Sequence, residues 1–155
     1  MKCRTSQLED HLGYWLRCLS NFIHHGFAAR LERHGVSVPQ WVVLRTLLDQ
    51  EPTSLSELAQ AVGVDGGALS RMVERLVQKG LVHRETDAEN RRAVRLGLTQ
   101  AGKTLVPELA KEADENDAAF FGVLQEKERH QMLAMVHTLL SKNGWRGETH
   151  GKAMD

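Results

Sequence analysis

Arg71 and Arg75 stand four residues apart, and Arg91 and Arg92 are neighbours in a polar stretch. A guanidinium is permanently charged and presents its N–H donors in a planar fork, which suits phosphate oxygens and the O6/N7 edge of guanine. Just ahead of Arg71 lie Gly66, Gly67 and Ala68, with Ser70 between. Side chains this small let a second backbone approach, and a helix beginning there offers free N–H groups to an anion. The chemistry these residues carry is recognition of oxyanions and base edges.

Other chemistries fit less well. No nucleophile elbow, phosphate-cradling loop or zinc-hydrolase motif is present, and Gly66-Gly67 lacks the lysine of a P-loop. Glu108 and Glu112 share a helix face, where a solvated carboxylate pair is the plainer reading. His24 and His25 are adjacent, and His130 and His137 are two turns apart, so neither pair has metal-ligand spacing. Cys3 and Cys18 are too few for a disulfide framework. The expectation is a protein that is not an enzyme, with no cofactor and no metal.

The elements that position the arginines are legible from periodicity and caps. Leu12, Leu16, Leu19, Ile23, Phe27 and Leu31 recur at three- and four-residue steps, predicting a first helix from Leu8 to about His34, ended by Gly35. Ser37 to Gln40 has capping-box spacing and opens a second helix, with Trp41, Leu44, Leu47 and Leu48 as its buried face and Pro52 as a stop. Ser54 to Glu57 repeats the box for a short third helix with Leu55, Leu58, Ala59 and Val62 inside, ending at Gly63. Asp65 caps a fourth, with Leu69, Met72, Val73, Leu76 and Val77 inward and Gly80 at its end.

The period then switches to two. Leu81 to Glu85 and Val94 to Leu98 read as strands of a hairpin whose tip, residues 86–93, holds Asn90, Arg91 and Arg92. Thr99 caps a fifth helix running to about Gly122, and a sixth spans Glu126 to about Lys142. Residues 144–155 read as a flexible tail.

Formal charge is zero over 155 residues, which by itself argues against a nucleic-acid partner. The distribution argues otherwise. Gly66 to Lys103 holds eight basic and four acidic residues, whereas Thr104 to Asp155 holds six and nine. One basic module is balanced by an acidic segment that faces something else. No apolar run reaches the roughly 20 residues of a membrane span, and the N-terminus lacks a signal-peptide core, so a cytoplasmic location is expected.

Short helix, tight turn, helix and charged hairpin is the order of a winged helix-turn-helix, with Gly66, Gly67, Ala68, Ser70, Arg71 and Arg75 on the helix that enters a major groove. A charged hairpin tip taken alone also fits a solvated loop. The order and spacing of the two signals together carry the inference of double-stranded DNA.

The segment Ser54 to Gly102 also resembles the core of the MarR (multiple antibiotic resistance regulator) family. The resemblance lies in Leu76 through Gly80-Leu81-Val82 and Arg84, then Asn90-Arg91-Arg92, Leu96-Gly97-Leu98-Thr99 and Gly102. Gln40-Trp41-Val42-Val43-Leu44 is similar to the family's second helix, and the likeness spans nearly all of Leu8 to Lys142. It implies a mainly α fold with a small β-hairpin wing: a winged helix-turn-helix at 37–103 and a helical dimerisation region at 8–35 and 104–143, from helices 1, 5 and 6. It implies a homodimer on a palindromic operator, a transcription regulator acting as a repressor. Leu8, Leu12, Leu105, Leu109, Leu139 and Leu140 are the residues expected between subunits.

By the same resemblance Arg92 enters the minor groove, oriented by an acid two positions earlier, where this chain has Asn90 instead. Asp87 or Glu89 are the alternative acids. The family also implies a small anionic or aromatic effector between dimer and DNA modules, for which Trp15, His24 and Arg45 are candidates. Trp15 fits a core position equally, and the other two fit plain surface.

Two alternatives stay open. One is a winged-helix protein-interaction module without specific DNA binding, against which the four arginines speak. The other is a cysteine-based redox-responsive regulator. The resemblance puts the sensing position at Gly13, and Cys18 beside the apolar stripe reads as a buried, inert thiol.

Overall fold

A computed structural model describes residues 5–50, 53–87, 89–90 and 93–145. Six helices run α1 (Leu12–Glu32), α2 (Val38–Asp49), α3 (Leu55–Val62), α4 (Gly66–Gln78), α5 (Gln100–Phe121) and α6 (Glu126–Lys142). Three short strands, β1 (Thr53–Ser54), β2 (Val82–Thr86) and β3 (Val94–Leu98), form an antiparallel sheet ordered β1-β3-β2. The molecule is mainly helical with a small β wing, as the sequence implies.

Local chemistry accounts for the boundaries. Ser37 and Gln40, and likewise Ser54 and Glu57, form reciprocal capping boxes at the starts of α2 and α3. Gly63 ends α3 in the left-handed region at φ 75°, a conformation glycine adopts without the Cβ penalty. Asp65 accepts the Ala68 amide at 2.9 Å to open α4.

Four expectations need correcting. The first helix does not run from Leu8. Leu8–Asp10 is a 3-10 turn, because Asp10 turns back to accept the Gln7 amide and His11 is extended at φ −105°, ψ 121°. The hairpin is two strands of a three-stranded sheet, since Thr53 pairs with Leu96 and Ser54 with Arg95. Leu48, expected on the buried face of α2, lies outside the buried set at 40% exposure. The inner face of α2 is centred on Gln40, Val43, Leu44 and Leu47. Leu109, expected between subunits, is fully buried in its own chain, and Leu105 packs against the same core.

That core is one cluster. Leu44 from α2, Leu58 from α3, Leu69 and Leu76 from α4, Leu96 from β3 and Val106 from α5 are all within 2% of full burial. Methylene burial of this kind contributes on the order of 1.5–3 kcal/mol per large side chain. Outside it α1 and α5 pack on each other around the buried Asn116, whose amide donates to the Ile23 carbonyl, but much apolar surface stays open. Leu12, Trp15, Leu16 and Phe22 of α1 are 42–68% exposed, and α6 buries no residue at all, with Leu133, Met135 and Leu139 at 49–61%. Cys18, read as buried, is exposed on the same unpartnered stretch of α1.

Polar contacts join the two regions. Arg30 of α1 donates to Glu112 at 3.2 Å and to Glu115 at 2.9 Å on α5, and His34 Nε2 lies 3.1 Å from Glu112. The hydrogen bond from His34, followed by that from Arg30, holds the Glu112 carboxyl below its ordinary range. Thr99 donates its hydroxyl to the Gly80 carbonyl at 2.6 Å and its amide to the Leu81 carbonyl at 3.1 Å. Gly102 sits over that same carbonyl so closely that a Cβ would lie 2.2 Å from its oxygen.

Candidate nucleic-acid interface

The fourth helix is anchored along one side and bare along the other. Leu69, Val73 and Leu76 are fully buried, while Gly66, Gly67, Arg71, Glu74 and Arg75 are exposed, with Ala68 and Ser70 half-buried at the rim. A Cβ at Gly66 would touch nothing in the chain, so no internal crowding requires glycine there. What glycine supplies is a bare first turn, whose N–H groups have no intrahelical partner. Arg71, Arg75 and Lys79 recur every four residues and form one cationic stripe from this turn to the helix end. Among the described residues, neither Arg71 nor Arg75 has a side-chain hydrogen bond or ion pair.

The wing is pinned at its root. Asp87 Oδ1 accepts the amides of Glu89 at 2.8 Å and Asn90 at 3.2 Å, while Oδ2 accepts Arg95 Nε at 2.8 Å. The Asp87 amide donates to the Ala93 carbonyl at 2.9 Å, closing the loop base. The Arg95 hydrogen bond, then the two amides, hold the Asp87 carboxyl below its usual value, and Asp87 in turn raises Arg95. Glu57 is held further down, to about 2, chiefly by the Ser54 amide and hydroxyl. Asn90 is exposed on this loop, and Arg91 and Arg92 lie outside the described residues.

Two ties were not legible from sequence. Arg84 of β2 reaches Glu74 of α4 at 3.0 Å, joining wing to helix. The Lys79 ammonium donates to the Gly35 carbonyl and, at 3.1 Å, to Gln40 Oε1, joining the end of α4 to the α1–α2 turn. Both depend on packing angles between elements.

The effector candidates do not converge. Trp15 stacks edge-on against Tyr14 and donates its Nε1 to the Glu9 carbonyl at 3.0 Å. Arg45 pairs with Asp49 on its own helix. His24 lines two clefts, neither of which includes Trp15 or Arg45. No group of three His, Cys, Asp or Glu side chains among the described residues is placed to hold a metal ion. No described helix is long and apolar enough to cross a membrane.

A short helix, an αL glycine turn, a second helix bare at its N-terminal end and an adjoining antiparallel wing define a winged helix-turn-helix. Residues 36–94 match the model of the MarR family. A probable transcriptional regulator from Pseudomonas aeruginosa has the same fold at a TM-score of 0.75 and 25% identity, over 86% of this chain and 99% of that one. Bordetella bronchiseptica BpsR, whose DNA binding is regulated by 6-hydroxynicotinic acid, is similar at 0.75 and 26%, over 87% and 96%. Staphylococcus aureus MepR, solved in complex with DNA, is similar at 0.75 and 27%, over 85% and 98%. Residues 36–94 thus carry a MarR-family domain, in a chain whose fold as a whole is that of these transcriptional regulators.

Proposed function

We propose that the protein binds a specific palindromic operator as a homodimer and represses transcription until a small anionic or aromatic effector releases it. The observation that carries the DNA reading is the bare face of α4, with Gly66, Gly67, Ala68, Ser70 and Arg71 at its groove-entering end and exposed Arg75 one turn on. Asn90, Arg91 and Arg92 form the second contact, from the wing into the minor groove or onto its flanking phosphates.

The dimer reading rests on α6, none of whose residues is fully buried in its own chain, and on the apolar stripe of α1 beside it. Exposed apolar surface of this extent marks an association site. Residues 8–35 and 104–143 are assigned to dimerisation and 37–103 to DNA binding. A two-fold axis then sets recognition helices roughly 34 Å apart, one helical turn of DNA. The effector reading draws on BpsR, whose DNA binding responds to an aromatic acid. His24 lines a cleft between α1, α2 and α4.

Fluorescence-anisotropy titration against DNA from upstream of the protein's own gene, beside a scrambled duplex and at two salt concentrations, tests the core of this reading. Tight, sequence-preferring binding that weakens steeply with salt is expected. Equal, weak binding to both duplexes would instead favour a winged-helix protein-interaction module or an operator elsewhere.

A further inference from the structure

Phe22, Gly26, Arg30 and His34 stand four residues apart along α1 and its end, and Glu112, Asn116 and Phe120 stand four apart on α5. Residues at this spacing form one row along a helix, and the two rows meet antiparallel. At one end Phe22 stacks edge-on against Phe120 with ring centres 5.2 Å apart, and at the other Arg30 and His34 pair with Glu112. Between them Gly26 faces Asn116. A Cβ at Gly26 would lie 2.9 Å from Asn116 Oδ1 and 2.8 Å from the Phe120 ring, so this approach needs a position without a side chain. Asn116 is buried, and its amide donates to the Ile23 carbonyl at 3.3 Å, one turn before the glycine. The buried residues of α1 and α5 are Leu31 on the first and Gly102, Val106, Leu109 and Asn116 on the second. Asn116 is the outermost of these, and past it α1 runs on with Phe22, Leu16, Trp15 and Leu12 exposed.

We propose that Asn116, seated in the notch left by Gly26, is the positioning residue that fixes the angle at which α1 and α5 leave the winged module. Stability alone does not call for an amide here. It gives up apolar burial for a single hydrogen bond, and a leucine of similar volume would bury more carbon. What the amide adds is direction. Apolar rows that repeat every four residues pack nearly as well after a small rotation or tilt. A hydrogen bond to one carbonyl across a glycine notch has one geometry. The pairs from Arg30 and His34 to Glu112 and Glu115 lie between the notch and the winged module, and long, part-exposed side chains tolerate such a tilt. The angle matters for DNA on the dimeric, operator-binding reading, because it sets where the two reading helices fall; the seat itself does not rest on that reading.

The test uses the full chain with nitroxide labels at two exposed positions, Arg17→Cys on α1 and Ala61→Cys on α3, in a Cys3→Ser, Cys18→Ser background. Mixing with an excess of unlabelled chain leaves only the distance within one chain, which pulsed electron paramagnetic resonance reads without DNA. Wild type is expected to give one narrow distance. Asn116→Leu should broaden or split it while the urea midpoint stays at or above that of wild type, and Gly26→Ala should displace it. A narrow, unshifted distance in both variants would overturn the proposal. So would a lowered midpoint at the wild-type distance, which would make Asn116 a packing residue only. If Asn116→Leu does not fold, Gly26→Ala decides on the same distance, since it keeps the amide and fills its seat. On DNA, Asn116→Leu should weaken operator binding by about tenfold and flatten the preference among duplexes whose half-site spacings differ. A changed distance with the wild-type spacing preference would overturn the consequence for DNA and uphold the seat. Wild type without sequence-preferring binding would refute the DNA reading, and the distance would still decide the seat.

Discussion

Arg84 Nη2 lies 3.0 Å from Glu74 Oε2, so the first strand of the wing is tied directly to the helix that carries Arg71 and Arg75. Both side chains are about half exposed, and a pair of this kind adds under about 1 kcal/mol to stability. Its expected consequence is for geometry. Arg84→Ala should leave the thermal midpoint nearly unchanged and weaken operator binding by about tenfold, or ~1.4 kcal/mol. A double-mutant cycle with Glu74→Ala checks it. Fully additive losses would mean the two residues act separately.

Arg71 stands on the exposed face of α4, in the second turn from its start. Arg71→Ala should cost about 1–3 kcal/mol on the preferred operator and relax the preference at one base position if it reads a base edge. Competition assays with single-base operator variants give the answer. A uniform loss across sequences would make Arg71 a phosphate contact. Arg92→Ala is expected to weaken binding with the fold intact, and unchanged affinity would remove the wing from the mechanism.

Leu139 is 49% exposed on a helix with no fully buried residue of its own. Leu139→Glu should therefore leave the winged module folded, convert the protein to monomer in sedimentation experiments and abolish specific binding. A monomer that still protects both half-sites in footprinting would sink the symmetric arrangement.

Gly102 has no room for a methyl group, since its Cβ would meet the Leu81 carbonyl at 2.2 Å. Overpacking of this kind costs about 1–3 kcal/mol. Urea denaturation of Gly102→Ala should show that loss. A midpoint equal to wild type would mean that α5 shifts freely away from the β2 start.

Glu57 has its folded-state pKa lowered from 4.5 to about 2. A depressed carboxylate stabilises the fold above its unfolded pKa, and the stabilisation is lost as pH falls through the folded one. Between about pH 4.5 and 2 wild type should lose stability more steeply than Glu57→Gln, which keeps the capping geometry without the charge. Parallel curves would show that the cap is indifferent to ionisation.

The elements that depend on local chemistry could be read from the residues alone. Ser37 with Gln40, Ser54 with Glu57, Asp65 and Gly63 each act within four residues of themselves, and the structure has their helices at those positions. Thr53–Ser54 escaped notice as a strand because two residues show no alternation, and Ser54 was already accounted for as a cap. The break at His11 depends on Asp10 turning back to Gln7, a choice that the apolar periodicity of the following helix hides. Leu109 is expected at an interface because its segment offers little else to pack on in sequence, yet the first half of α5 covers α2 and β3. Lys79 with Gln40 and Arg84 with Glu74 are set by the crossing of elements 39 and 10 residues apart in the chain, which no local pattern encodes.

At the start of α5, three things meet within one turn: the end of α4 through Gly80, the start of β2 through Leu81, and the helix itself through Thr99 and Gly102. A joint with that little clearance has no play. On the dimeric, DNA-binding reading, a tilt of α5 is expected to carry α4 and the wing with it as one stiff arm. In a two-fold assembly a signal then needs only to change the angle between two stiff arms, leaving the shape of each untouched.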